Sequence, residues 1–183
     1  MRNERVCPWQ NAWSLDNPVR RLVHDPYRIL GDYIEEGQTI LDLGCGPGVF
    51  SMAMAEMVGE KGKVISVDLQ EEMLQILRQK VERAGLQSRF QLHKSRSDGI
   101  GIDEWVDFAL AFYMVHEVPD KEKFLGEVAS LLRPKGKFLI VEPKFHVSKP
   151  SFEETVEAAV GSGLRLISSP KILLSRSALL QKA

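Results

Sequence analysis

The sequence predicts an α/β protein whose parallel sheet is covered by helices on both faces and closed by an antiparallel hairpin. Three observations predict it. Short apolar runs at Ile40–Leu43, Val64–Val67, Phe108–Phe112 and Phe138–Val141 alternate with amphipathic helical stretches. These runs are continuous rather than alternating, the pattern of strands buried on both faces. The last two strand-like segments, Leu164–Ser169 and Ser177–Gln181, are joined by only Pro170–Arg176, too short for a parallel crossover.

The elements follow in order. Asn17-Pro18 starts a helix carrying Val19, Leu22 and Val23, and Asp25-Pro26 starts a second with Tyr27, Ile29, Leu30, Tyr33 and Ile34, closed by Gly37. Ahead of both, Trp9 and Trp13 stand four apart. They either pack the N-terminal arm onto the protein or form an aromatic lid over a pocket. Thr39–Leu43 is the first strand, and a helix runs from Val49 to about Val58, stopped by Gly59. Lys63–Asp68 is the second strand and Glu71–Ala84 a helix with Met73, Leu74, Leu77 and Val81 on one face and Gly85 as its stop. Phe90–His93 is the third strand; Ile100–Val106 is a short helix or loop; Asp107–Phe112 is the fourth strand. Asp120 caps a helix to Leu132, Pro134-Lys135-Gly136 turns, and Phe138–Val141 is the fifth strand. Ser151 with Glu154 reads as a capping box for a helix to about Val160.

Size and composition set limits. The 183 residues suit one domain, in which residues 1–37 form an arm and helices covering the site and residues 38–183 form the core. A net charge of −1 gives no nucleic-acid footprint. No apolar run approaches the ~20 residues that span a bilayer, and the charged N-terminus lacks the apolar core of a secretory signal. The two cysteines, Cys7 and Cys45, suggest no disulfide, because Cys45 sits between two glycines of a turn; a cytoplasmic setting is expected. The four histidines and two cysteines show no metal-site spacing, so no metal is expected.

The chemistry concentrates at L-D-L-G-C-G-P-G, residues 41–48. A strand, a glycine turn (Gly44, Gly46, Gly48) and a helix start make a seat for a ligand carrying a carboxylate or phosphate. Asp68, at the end of the neighbouring strand, can accept both hydroxyls of a ribose, so the ligand is read as an adenosine derivative. A G-x-G-x-x-G fingerprint would place its third glycine on Val49, and no Gly-Lys-Ser/Thr follows, so neither a dinucleotide motif nor a P-loop is present. Asp42, two residues ahead of the first glycine, orients the loop or holds an ammonium through a water. That suits an amino-acid tail better than a pyrophosphate.

With these residues in place, L-D-L-G-C-G-P-G, V-I-S-V-D and L-L-R-P-K-G-K-F-L-I-V-E-P resemble the class I S-adenosylmethionine-dependent methyltransferases, in particular the branch that includes the quinone-biosynthesis C-methyltransferases. The resemblance covers about residues 37–145. It implies a doubly wound, seven-stranded Rossmann-like sheet in the order 3-2-1-4-5-7-6 with strand 7 antiparallel, and S-adenosyl-L-methionine as cofactor. It implies that Gly44, Cys45, Gly46 and Gly48 face the methionine part, that Asp68 holds the ribose, and that Leu69 and Gln70 flank the adenine. The family's acid after the third strand is replaced here by the stretch Lys94–Asp98, where Ser95, with Arg96 beside it, or else Asp98, takes the adenine contact. Phe112 and Tyr113 would line the transfer site.

Direct displacement needs in-line positioning and exclusion of water, and a base if the acceptor arrives protonated. His116, after the fourth strand, is the base candidate, with Tyr113 beside it; the other reading of His116 is a packing or capping role beneath the next helix. Glu117 reads as structural, and Glu142 and His146 lie near the same rim. Cys45 reads as a packed residue rather than a nucleophile. Pro143–Pro150 leads straight into the last helix, so the acceptor site falls to the arm, the loop after the fourth strand or a second subunit of a homodimer. The expected partner is a small-molecule acceptor, with no nucleic acid and no membrane. The alternative is a non-catalytic module that binds S-adenosylmethionine or S-adenosylhomocysteine, or a subunit of a methyltransferase complex; an NAD-dependent oxidoreductase is disfavoured by the missing glycine.

Overall fold

The computed structural model describes residues 9–11 and 23–183. Seven strands form one sheet in the order β3-β2-β1-β4-β5-β7-β6. They are β1 (Thr39–Leu43), β2 (Lys63–Asp68), β3 (Phe90–Lys94), β4 (Val106–Phe112), β5 (Leu132–Pro143), β6 (Leu164–Ser168) and β7 (Ser175–Lys182). Only β7 runs against its neighbours, β5 and β6. The expected order and the antiparallel hairpin are both present.

The alternation of side chains along each strand divides the core. Ile40, Val64, Phe108, Leu110, Leu139 and Val141 face Leu30, Phe50, Met54 and Val58, which come from α1 (Pro26–Leu30), α2 (Val49–Met57) and the residue after it. On the same side, Leu74, Leu77 and Val81 of α3 (Glu71–Ala84) pack with Cys45 over Phe90 and Leu92. The opposite side, with Leu41, Leu43, Ile65, Val67, Ala109, Ala111, Phe138 and Ile140, is covered by α4 (Lys121–Leu131) and α5 (Lys149–Gly161). Apolar side chains on both faces of every central strand are the reason the runs read as continuous.

Three local readings differ from expectation. The helix begun by Asp25, whose side chain accepts from the Tyr27 N–H, lasts only five residues; Gly31 follows as its C-cap, still with helical φ and ψ, and the chain goes on in turns. Ile34 is buried all the same, and Tyr33 stacks on Phe108 with ring centroids 6.1 Å apart. The cap of α5 is Ser148, not Ser151: Ser148 Oγ accepts the Ser151 N–H and Pro150 occupies the first turn, where its missing N–H costs nothing. The Pro134-Lys135-Gly136 turn is an excursion within β5, which pairs with β4 through Leu132 and again from Lys137, while Lys135 takes φ 66°. Of the two readings of Ile100–Val106, the structure has the loop, from Gly101 to Trp105, with Ile100 buried ahead of it. The helix expected after Asn17-Pro18, and Cys7 and Trp13, lie outside the described residues.

Candidate active site

The carboxyl ends of β1, β2 and β4 open into a cavity of about 670 Å³, a volume in the usual range for a small-molecule site. Asp42, Gly44, Cys45, Gly46, Asp68, Leu69, Gln70, Ser95, Arg96, Phe112, Tyr113 and His116 all line it. Gly48 alone of the expected site residues stands behind the wall. It caps α2 in the left-handed region, φ 83°, with its Cα backed against Leu77.

The glycine turn differs from an open nest of N–H groups. The Cys45 N–H donates to Val67 O at 3.0 Å, the Gly46 N–H to Asp68 Oδ2 at 2.8 Å and the Gly48 N–H to Cys45 O at 3.0 Å. Lys80 Nζ adds a bond to Pro47 O at 2.5 Å. With these three N–H groups turned to the protein itself, the turn is a platform held from within, and the buried polar groups beside it in the cavity are the carboxylates of Asp42 and Asp68.

Asp42 projects from β1 toward α2, where Ser51 Oγ donates to it, and Ser66 Oγ of the adjacent strand position donates to Ser51 Oγ at 3.0 Å. Burial pushes its carboxyl up to about 7, opposed by the Ser51 bonds and reinforced by the nearby Asp68 charge. Asp68, also buried, uses Oδ1 to accept the Gln70 N–H at 2.9 Å. Burial raises its pKa too, opposed by the backbone N–H groups of Gln70, Gly46 and Leu69. The carboxylate keeps further acceptor capacity. Two buried acids repel a pyrophosphate and favour a ligand carrying ammonium or sulfonium charge, and the residues present therefore fit S-adenosylmethionine.

The raised Asp42 pKa has a consequence for stability. The folded chain keeps a proton that the unfolded chain loses near pH 4, so stability is full below that pH and declines as pH rises toward about 7. Asp42→Asn, whose amide oxygen still accepts from Ser51, is expected to stabilise the ligand-free protein at pH 8. The gain is on the order of 2 kcal/mol, or roughly 4–8 °C in Tm, and vanishes at pH 4. Thermal melts of both proteins across that range are the check.

On the adenine side, the loop after β3 is held from α4: Glu127 Oε2 accepts the Ile100 N–H at 2.7 Å and Lys123 Nζ donates to Asp98 O at 2.5 Å. Arg96 and Asp98 pair on the exposed surface at 3.1 Å, and the Ser95 N–H donates to Asp68 O. The Trp9 backbone N–H donates to Gln70 Oε1 at 3.0 Å, which sets Trp9, itself half exposed, at the edge of the cavity.

On the acceptor side, Tyr113 leaves β4 with φ 62°, strained for a residue with a side chain. The strain is offset by packing on Phe112 and His24, with ring centroids 4.6 and 5.4 Å away, and by the Tyr113 hydroxyl donating to Ser175 Oγ at 2.7 Å. His24 Nε2 donates to Leu173 O at 2.9 Å and lies 3.2 Å from the same hydroxyl. The sharp exit from β4 leads into a 3-10 turn, Val115–Glu117, anchored by buried Val115, and lifts His116 over the cavity. Glu142 Oε2 accepts from His116 Nδ1 at 2.5 Å, and Oε1 accepts the His116 backbone N–H at 3.2 Å. The Glu142 bond raises the His116 pKa, against the opposing effect of burial. Burial raises the Cys45 thiol well above its ordinary value, in keeping with a packed residue.

Sequence reasoning did not find Ser51, Ser66 or His24. Ser66 had a visible signal, a lone hydroxyl inside an apolar strand; His24 had none.

A methyltransferase domain model matches residues 34–166. The chain belongs to the methyltransferase domain family. A demethylmenaquinone methyltransferase of Bacillus cereus is 33% identical over 109 residues, 60% of this chain and 46% of that protein. A ubiquinone/menaquinone biosynthesis C-methyltransferase of Cronobacter sakazakii is 31% identical over 66% of this chain and 47% of that one. The chain thus spans about half the length of the curated relatives it matches. The crystal structure of a SAM-dependent methyltransferase from Aquifex aeolicus superposes with a TM-score of 0.86 at 28% identity, covering 97% of this chain and 100% of that one. The sheet is the Rossmann-like sheet of these methyltransferases, and S-adenosylmethionine is the cofactor of the family. Among the described residues no group of three or more His, Cys, Asp and Glu is placed to hold a metal ion, and no helix is long and apolar enough to cross a membrane.

Proposed function

We propose that the protein transfers a methyl group from S-adenosylmethionine to a small electron-rich acceptor, a quinol-type ring of the kind the curated relatives' names indicate. The observation that carries this reading is the two-sided cavity: buried acids Asp42 and Asp68 at one side, and Phe112, Tyr113 and His116 at the other. When bound, the cofactor supplies an electrophilic methyl. The chain's own residues orient and shield it. Asp68 would hold the ribose through its remaining lone pairs, and Asp42 would face the ammonium end. Leu69 and Gln70 would flank the adenine, with Ser95 and Arg96 at its rim. Phe112 and Tyr113 would keep water from the reacting carbon, because a desolvated site strengthens the charge interactions within it. Residues 1–37 would serve as cover and the rest as the methyltransferase core.

Incubation with methyl-labelled S-adenosylmethionine and demethylmenaquinone kept reduced is expected to label the lipid fraction. Parallel incubations with a metabolite extract and a protein fraction locate a different acceptor. Binding of S-adenosylmethionine with label in none of the three would favour the second reading, a cofactor-binding module, which the half-length match to the curated relatives makes worth separating.

A further inference from the structure

We propose that Glu142 is a positioning residue that holds His116 as a general base, and that the acceptor accordingly gives up a proton from oxygen, nitrogen or an activated ring carbon during transfer. The inference rests on the methyl-transfer reading.

The geometry is that of a carboxylate–imidazole pair. Glu142, at the end of β5, is only 1% exposed and sends both oxygens to one residue. Oε1 fixes the backbone of the turn and Oε2 fixes the ring through Nδ1, the short bond at 2.5 Å. A carboxylate on Nδ1 selects the tautomer with its proton there and leaves Nε2 as the free lone pair. His116 is half buried and lines the cavity beside Tyr113 and Met114. A packing role alone does not require the ring to be gripped by a buried charge, since a buried carboxylate is costly to desolvate.

Three further titratable groups among the described residues bear on the ring. Glu117, on the same turn, lies 4.0 Å from Nε2; Lys121, opening α4, opposes protonation; the His146 ring is 6.2 Å from the His116 ring, centroid to centroid. The carboxylates prevail, so His116 is a stronger base than a free imidazole and is neutral only above a raised midpoint. In the reaction the acceptor's electron pair forms the bond to the methyl carbon. The carbon–sulfur bond breaks with its electrons returning to sulfur, and the acceptor's proton passes to Nε2. The resulting imidazolium is neutralised by Glu142.

The test pairs nuclear magnetic resonance with kinetics. In the ligand-free wild type, nitrogen-15 spectra are expected to show the Nδ1–H tautomer of His116 and a protonation midpoint above the ordinary imidazole value. Glu142→Gln is expected to lower that midpoint by about one pH unit or more, while Glu142→Asp, which restores the charge, recovers part of it. With reduced demethylmenaquinone as acceptor, His116→Ala is expected to lower kcat about 10²-fold with cofactor Kd changed less than twofold. Glu142→Gln should lower kcat more than it raises KM and move the acid limb of the rate profile to lower pH. An ordinary midpoint in the wild type, the opposite tautomer, or full kcat in His116→Ala at every pH overturns the proposal. Failure of the wild type to methylate any acceptor, with the shifted titration intact, overturns the methyl-transfer reading and the base role with it, and leaves only the paired geometry.

Discussion

Asp68→Ala is expected to weaken S-adenosylmethionine binding by about 10²- to 10⁴-fold. The carboxylate lies at the end of β2 with one oxygen on the Gly46 N–H and the other on the Gln70 N–H. Beyond these bonds the carboxylate keeps acceptor capacity for the ribose hydroxyls. Two charge-assisted hydrogen bonds at about 1.5–3 kcal/mol each account for the range. The same change also frees the glycine turn and the start of α3, so the platform loses order as the ligand loses its anchor. Folding should survive, because the side chain's own burial is unfavourable. Titration calorimetry reads the affinity and a melting curve reads the fold. An unchanged affinity in a folded variant would mean that the sugar sits elsewhere.

Gly48→Ala is expected to cost roughly 2–4 kcal/mol of stability, which is about 4–16 °C in Tm for a chain of this size. Two effects combine. The residue sits at φ 83°, where a Cβ is opposed by the backbone. That Cβ would also stand 2.3 Å from Leu77 Cδ1, in the packed seam between the glycine turn and α3. Leu77 is fully buried, so its side chain must repack among its neighbours to make room, and overpacking adds to the strain. The double variant Gly48→Ala, Leu77→Ala separates them: it removes the clash, retains the backbone strain and introduces a cavity, so it should remain below the wild type. Equal melting temperatures for Gly48→Ala and the wild type would show that the seam is loosely packed.

The covered parallel sheet was legible because each central strand is buried on both sides, which leaves an unbroken apolar signature, and the closing hairpin because a short link after β6 forbids a parallel return; the strand order came only with the family resemblance. Helix boundaries were legible where one residue decided them, as Asp120 does through the Lys123 N–H and Gly85 does with φ 69°. They were less so where two signals competed. Pro150 and Ser151 both mark a helix start, and only the position of the proline in the first turn selects Ser148 as the cap. Gly31 was read as part of a helix that it ends. In the site, Asp42, Asp68 and the glycines could be placed from strand ends alone. The pairing of His116 with Glu142 could not, because it joins positions 26 residues apart on β5 and on the turn after β4. The spending of the turn's N–H groups on Val67, Asp68 and Cys45 was equally hidden, since it depends on how tightly the loop folds back on its own strand ends.

The acid beneath the glycine platform makes ligand capture an exchange. Near neutral pH Asp42 holds its proton for part of the time in the empty cavity. A cation arriving at the cavity displaces that proton, so binding should acidify a weakly buffered solution. The heat of binding should then follow the ionisation enthalpy of whichever buffer accepts the proton. Affinity should also climb from mildly acidic to mildly alkaline conditions, until the ligand's own ammonium starts to discharge.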